Sequence, residues 1–149
     1  MKIVIVGGYF NPLHGGHIDM IEAARKMGDK LIVIVNNDAQ QMIKKGKIIL
    51  DEDNRMRLVA ALRDVDEVVL GIDDYGTPAS QPCIKTVEMI AKKYPNDHLI
   101  FANGGDRNSA KVVPETEVCQ KYNIEMRFDA GTSKVDSSTR INRAIGRED

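Results

Sequence analysis

Apolar residues in this chain fall into short dense runs, separated by stretches in which every third or fourth position is apolar. Residues 2–6 (Lys-Ile-Val-Ile-Val) and 31–35 are apolar almost throughout, the pattern of strands covered on both faces. Residues 67–70 and 98–101 read as two further strands. Residues 124–128 alternate instead, with Ile124, Met126 and Phe128 set against Glu125 and Arg127, so one face of this last strand is wet and it belongs at a sheet edge. Between these runs the period becomes helical. Ile18, Ile21, Ala24 and Met27 form one stripe, Ile84, Val87, Ala91 and Tyr94 a second, and Ile141, Ala144 and Ile145 a third. The predicted helices cover 16–27, 52–63, 82–93, 114–122 and 137–146. Turn chemistry fills Pro95-Asn96-Asp97 and residues 71–78.

Strands alternating with helices predict an α/β fold: one doubly wound parallel sheet with right-handed crossovers, whose ligands bind beyond the carboxyl ends of its strands. A chain of 149 residues suits a single domain spanning 1–149. A net charge of −1 does not advertise a nucleic-acid or membrane partner. No apolar run approaches the roughly 20 residues of a membrane span, and the start of the chain lacks the pattern of a signal peptide. Cys83 and Cys119 lack C-x-x-C spacing and read as reduced thiols of a cytoplasmic protein.

The most informative segment joins the first strand to the first helix: Gly7-Gly8-Tyr9-Phe10-Asn11-Pro12-Leu13-His14-Gly15-Gly16-His17. A helix N-terminus offers unpaired N–H groups and a positive dipole end, both suited to an anion. Gly8 and Gly15 would let a phosphate approach the backbone. His14 and His17, three apart, share a side if the helix begins near Gly15. Their imidazoles would then donate to a polyphosphate, which should favour the imidazolium form. A metal reading of the pair lacks an obvious Cys or carboxylate companion, and H-E-x-x-H is absent. Gly46-Lys47 is followed by Ile48, so no Walker A motif exists, and no G-x-G-x-x-G follows the first strand.

The H-x-G-H tetrapeptide after a strand and a glycine-rich turn resembles the cytidylyl- and adenylyltransferases of the nucleotidyltransferase superfamily. The resemblance extends in order through Asn36-Asn37-Asp38-Ala39, the lysines 44, 45 and 47, Asp53-Asn54-Arg55, Arg63-Asp64-Val65-Asp66-Glu67-Val68, Gly104-Gly105-Asp106 and Ser137-Ser138-Thr139. Heptose-phosphate adenylyltransferases and glycerol-phosphate cytidylyltransferases are the nearest likenesses. Absence of Trp, and Thr132 where the cytidylyl pattern has Arg, lean toward ATP over CTP. The front loop is similar to that of nicotinate and nicotinamide mononucleotide adenylyltransferases.

That resemblance implies a Rossmann-like sheet of order 3-2-1-4-5 and a homodimer. It implies transfer of a nucleoside monophosphate, AMP ahead of CMP, from an NTP to a small phosphorylated sugar or polyol, with diphosphate released. Nicotinamide or nicotinate mononucleotide, FMN or phosphopantetheine are alternative acceptors, stacking on Tyr9 or Tyr75. A nucleotide-binding regulatory domain without turnover is a third reading. His14, His17 and Lys44 are the implied catalytic residues. Gly8, Tyr9, Phe10, Gly16, Gly105, Asp106, Ser137, Ser138 and Thr139 would hold the nucleotide. Asn11, Lys47, Arg55 and Arg63 would hold the acceptor. Local sequence alone also allows a solvated lysine loop, arginines paired with Asp51, Asp53 or Asp66, a plain turn at Asp106 and a simple helix cap at Ser137. Mg²⁺ would ride mainly on the NTP phosphates, leaving few protein ligands visible.

Overall fold

A computed structural model describes residues 1–77, 82–103 and 113–128 of the chain. Its centre is a parallel sheet of five strands, β1 (Lys2–Gly8), β2 (Lys30–Val35), β3 (Glu67–Leu70), β4 (His98–Ala102) and β5 (Glu125–Arg127), in the order β3-β2-β1-β4-β5. Ile5 of β1 stands beside Ile32 of β2 and Phe101 of β4, so β1 is the middle strand. The expected strand order and the edge position of β5 are therefore both present.

Alternation along the strands divides the core in two. Ile3, Ile5, Ile32, Ile34, Leu99 and Phe101 face α4 (Ile84–Lys93) and α5 (Thr116–Lys121). Val4, Val6, Leu31, Val33, Ile100 and Ala102 face the opposite layer, where Ile21 and Ala24 of α1 (Gly15–Arg25) and Val59 of α3 (Glu52–Ala60) are buried. Each such side chain, fully withdrawn from water, contributes roughly 1.5–3 kcal/mol. Ile18, expected on the inner stripe of α1, lies at the surface instead.

A helix that the apolar pattern did not reveal, α2 (Asp38–Lys45), follows β2. Its inward residues are Gln40 and Gln41, while Met42 is exposed, so it carries no apolar stripe to read. Its end signals are conventional. The Asn37 side chain accepts from Gln40 N–H, and Gly46 at φ 69° supplies the left-handed cap. Helix α3 ends three residues before the expected boundary. There the chain tightens, with Leu62 N–H bonding Val59 O and Val65 N–H bonding Leu62 O, and Leu62 and Val65 pack on the core. The predicted helix 137–146 lies outside the described residues.

The amino ends of the strands are tied by ion pairs. Lys30 reaches Glu67 at 3.0 Å, Lys93 reaches Glu67 at 3.2 Å, and the N-terminal ammonium reaches Asp97 at 3.2 Å. His98 meets Glu125 at 2.9 Å. Buried polar side chains gather at the other end, around the carboxyl rim.

Candidate active site

The glycine-rich loop leaves β1 at Gly8, and α1 begins at Gly15. The two histidines cap that helix reciprocally. His14 Nδ1 accepts from Gly16 N–H at 3.1 Å, and His17 Nδ1 accepts from His14 N–H at 3.2 Å. Their rings stack with centroids 3.8 Å apart and planes inclined by 28°. A nitrogen accepting from a backbone N–H carries no proton of its own, so this pattern assigns both rings the Nε2–H tautomer. Both rings stand at the positive end of a helix with Nδ1 taken up by the cap.

The remainder of the loop is a support for that pair. Phe10, in the left-handed region at φ 54°, is buried and sets its ring edge-on to His17, with centroids 4.9 Å apart. A Cβ on Gly8 would stand 3.0 Å from Phe10 Cζ, so the space that Gly8 leaves is taken by this ring rather than kept for a phosphate. A Cβ on Gly15 would meet nothing within 4 Å. Gly16 supplies the N–H that His14 accepts.

Three of the polar residues expected to touch substrate do something else. The Arg55 side chain has 0% exposure. Its Nε donates to Leu50 O at 2.9 Å, one terminal nitrogen donates to Tyr9 O at 2.8 Å and Asn36 O at 2.6 Å, and the other pairs with Asp38 at 2.6 Å. Arg55 therefore clamps the front loop, the end of β2 and the start of α2, and does not extend toward an acceptor phosphate. Asn11 is 4% exposed, and its Oδ1 accepts from the N–H groups of Ile49 and Leu50. Arg63 lies past the end of α3, four residues before β3, which puts it at the amino end of the sheet and away from the rim.

Lys44 is brought to the loop, though from the last turn of α2 and not from an irregular segment. Its ammonium stands 4.5 Å from the centroid of the Tyr9 ring. Lys47 follows the Gly46 cap, is exposed, and offers its carbonyl to Gln41 Nε2. Burial raises the pKa of the Tyr9 phenol well above its ordinary value. Burial, and then hydrogen bonding to Asp73, takes Tyr75 to about 12. Both phenols are neutral donors at physiological pH. Gly105, Asp106, Ser137, Ser138 and Thr139 lie outside the described residues.

Sequence reasoning missed a second set of rim residues. Gln40 Nε2 donates to Tyr75 O and Pro82 O, and Gln40 Oε1 accepts from Asn36. Asp73 accepts from the N–H groups of Lys85 and Thr86, capping α4 from the loop after β3. Glu115 accepts from Cys83 N–H at 3.1 Å. Only the burial of these side chains marks them, and single-sequence periodicity does not register a buried amide or carboxylate.

Among the described residues no three His, Cys, Asp or Glu side chains group so as to hold a metal ion. No helix among them is long and apolar enough to cross a membrane.

Comparison with known proteins agrees with this geometry. The cytidylyltransferase-like family matches residues 5–143. The bifunctional protein HldE of Ectopseudomonas mendocina (strain ymp) is 37% identical over 142 residues, covering 94% of this chain and 27% of that protein. Its namesake in Haemophilus influenzae (strain PittEE) is 35% identical over 130 residues, covering 83% and 27%. The chain thus spans about a quarter of the length of these curated relatives. The crystal structure of a lipopolysaccharide core biosynthesis protein from Thermoplasma volcanium GSS1 superimposes with a TM-score of 0.64 at 29% identity, covering 91% of this chain and 99% of that one. With its paired histidines at the head of α1 and a match that runs nearly its whole length, this chain belongs to the cytidylyltransferase-like family of nucleotidyltransferases.

Proposed function

We propose that the chain transfers a nucleoside monophosphate, AMP in preference to CMP, from an NTP to the phosphate of a small sugar or polyol phosphate. An oxygen of the acceptor phosphate attacks the α-phosphorus, the bond to the β-phosphate oxygen breaks, and diphosphate leaves with that electron pair. No enzyme nucleophile is required, so catalysis rests on alignment and on stabilising charge at the reacting phosphorus. The observation that carries this reading is the reciprocal cap of His14 and His17. It fixes two rings as Nε2–H donors beside the N–H groups of α1 without any cost of reorganisation at the moment of reaction. Lys44 would neutralise phosphate oxygens from the facing side, and Arg55 and Asn11 would hold the loop in place. Mg²⁺ bound by the triphosphate would supply further charge neutralisation.

A sugar or polyol acceptor is favoured over one carrying an aromatic base by the two candidate stacking rings. Tyr9 already has Lys44 over it, and Tyr75 has Lys85 Nζ at 5.3 Å from its centroid. The homodimer would form along β3, one of the two edge strands of the described sheet, near exposed Leu58 and Ile72.

The test is diphosphate release from Mg²⁺, each NTP and a panel of phosphate monoesters, using two variants of one histidine. His17→Asn retains an acceptor near the Nδ1 position and so preserves the cap, but lacks the outer nitrogen. Its fold should persist while turnover falls by about 10²–10³. His17→Gln keeps an outer N–H and loses the cap, so some activity should remain with lower stability. Wild-type-like turnover in His17→Asn would remove that ring from the mechanism. Tight ATP binding with no diphosphate from any acceptor would favour the non-catalytic reading.

A further inference from the structure

One polar pair on the rim has no use in the chemistry above. Asn103 directly follows the last residue of β4, Ala102, and its N–H still donates to Arg127 O of β5 at 2.8 Å. The last pair that β1 makes with β4 is Ile5 with Phe101, and β1 runs on past it to Gly8. Gly7 is exposed, and a Cβ there would lie 3.9 Å from Cys83 Sγ. Cys83 is bound in turn by Glu115, whose Oε1 accepts both its N–H at 3.1 Å and its S–H at 3.2 Å.

Glu115 is 3% exposed and Asn103 is 8% exposed. Yet Glu115 Oε2 and Asn103 Nδ2 have no hydrogen-bond partner. A buried unpaired donor and a buried unpaired carboxylate oxygen each destabilise a fold, and groups of this kind in native proteins ordinarily have a partner when the protein is at work. These two sit where the strand order reverses between β1 and β4, which is where doubly wound sheets take their ligands.

We infer that Asn103 and Glu115 read the hydroxyl groups of the acceptor, with its carbon chain lying over Gly7 and its phosphate directed toward the histidine loop. This rests on the acceptor class proposed above. One hydroxyl of the acceptor donates its proton to Glu115 Oε2 and another accepts from Asn103 Nδ2–H, which satisfies both atoms. Both atoms are closed to solvent without ligand, so binding includes a local opening beside the exposed Gly7.

The experiment is calorimetric titration of the full chain, held with a non-hydrolysable ATP analogue, using glycerol 3-phosphate, ribose 5-phosphate, nicotinamide mononucleotide and propyl phosphate. Wild type should bind the first two about tenfold or more tightly than propyl phosphate, because a site built around hydroxyls rejects a ligand without them. Glu115→Gln, which still offers an acceptor to Cys83, and Asn103→Ala should each reduce that ratio to about threefold or less while ATP-analogue affinity stays within about twofold. If one variant fails to fold, the other carries the same readout. A wild-type ratio near one, or a ratio unchanged in both variants, overturns the inference, whereas tighter binding of nicotinamide mononucleotide, itself a ribose phosphate, overturns the acceptor class. Failure of diphosphate release with the binding ratio intact defeats only the transfer reaction. Release with an unaltered ratio in the variants defeats only the hydroxyl reading.

Discussion

Replacing Arg55 by Ala separates two roles for one guanidinium. In the structure the side chain is fully enclosed, and its donors satisfy three backbone carbonyls and the Asp38 carboxylate. Truncation leaves those acceptors facing a void. Breaking a buried charged pair typically costs about 3–5 kcal/mol, and the lower half of that range applies because 28% of the Asp38 side chain is exposed. A loss near 3 kcal/mol is a large part of the roughly 5–15 kcal/mol that holds a domain together. It should lower the melting temperature by roughly 10 °C in a chain of this size. Urea titration followed by circular dichroism should show an earlier midpoint with an unchanged slope. Arg63→Ala, at the surface, should stay within about 0.5 kcal/mol of wild type. If Arg55→Ala proved as stable as wild type but raised only the KM for the acceptor, the clamp would be refuted and the guanidinium returned to substrate.

Gly8→Ala drives a methyl to 3.0 Å from Phe10 Cζ; it should cost about 1–3 kcal/mol and lower kcat by shifting the ring that abuts His17, and unaltered kinetics would disprove that support. Gly15→Ala, with open space around it, should keep or raise stability by about 0.5 kcal/mol in a melting experiment. Burial alone would raise the Glu67 pKa, but hydrogen bonds from Tyr94, Lys30 and Lys93 outweigh it and bring the folded-state value to about 2 from an ordinary 4.5. Its contribution is therefore complete above about pH 4.5 and is lost as pH falls toward 2. Glu67→Gln should flatten the stability profile across that window by about 1 kcal/mol, screening included. Burial raises the Cys119 thiol to about 12, so it should resist iodoacetamide in the native protein and react on unfolding; rapid native alkylation would contradict that burial.

The strands were legible because β-branched runs such as 2–6 and 31–35 have few other uses, and the strand alternation at 124–128 announced an edge. Helix α2 was not legible, since Gln40 and Gln41 turn inward to bond the loops after β2 and β3, and polarity in a sequence reads as exposure. The same bias misdirected Arg55 and Asn11, whose polar groups spend themselves on main-chain partners. For the histidines, spacing foretold a shared side of α1. Which nitrogen faces outward depended on cap bonds that only coordinates reveal. Glu115 and Cys83 lie 32 residues apart, a separation across which local pattern carries no information.

The division between the two ends of the sheet has a practical outcome. Contacts such as the Lys30–Glu67 ion pair and the His98–Glu125 hydrogen bond sit where the strands begin, whereas the histidine loop proposed to meet a nucleotide sits where they finish. Tolerance to salt, acidity or heat is thus adjustable by editing one pole of the molecule, leaving the candidate site at the opposite pole undisturbed.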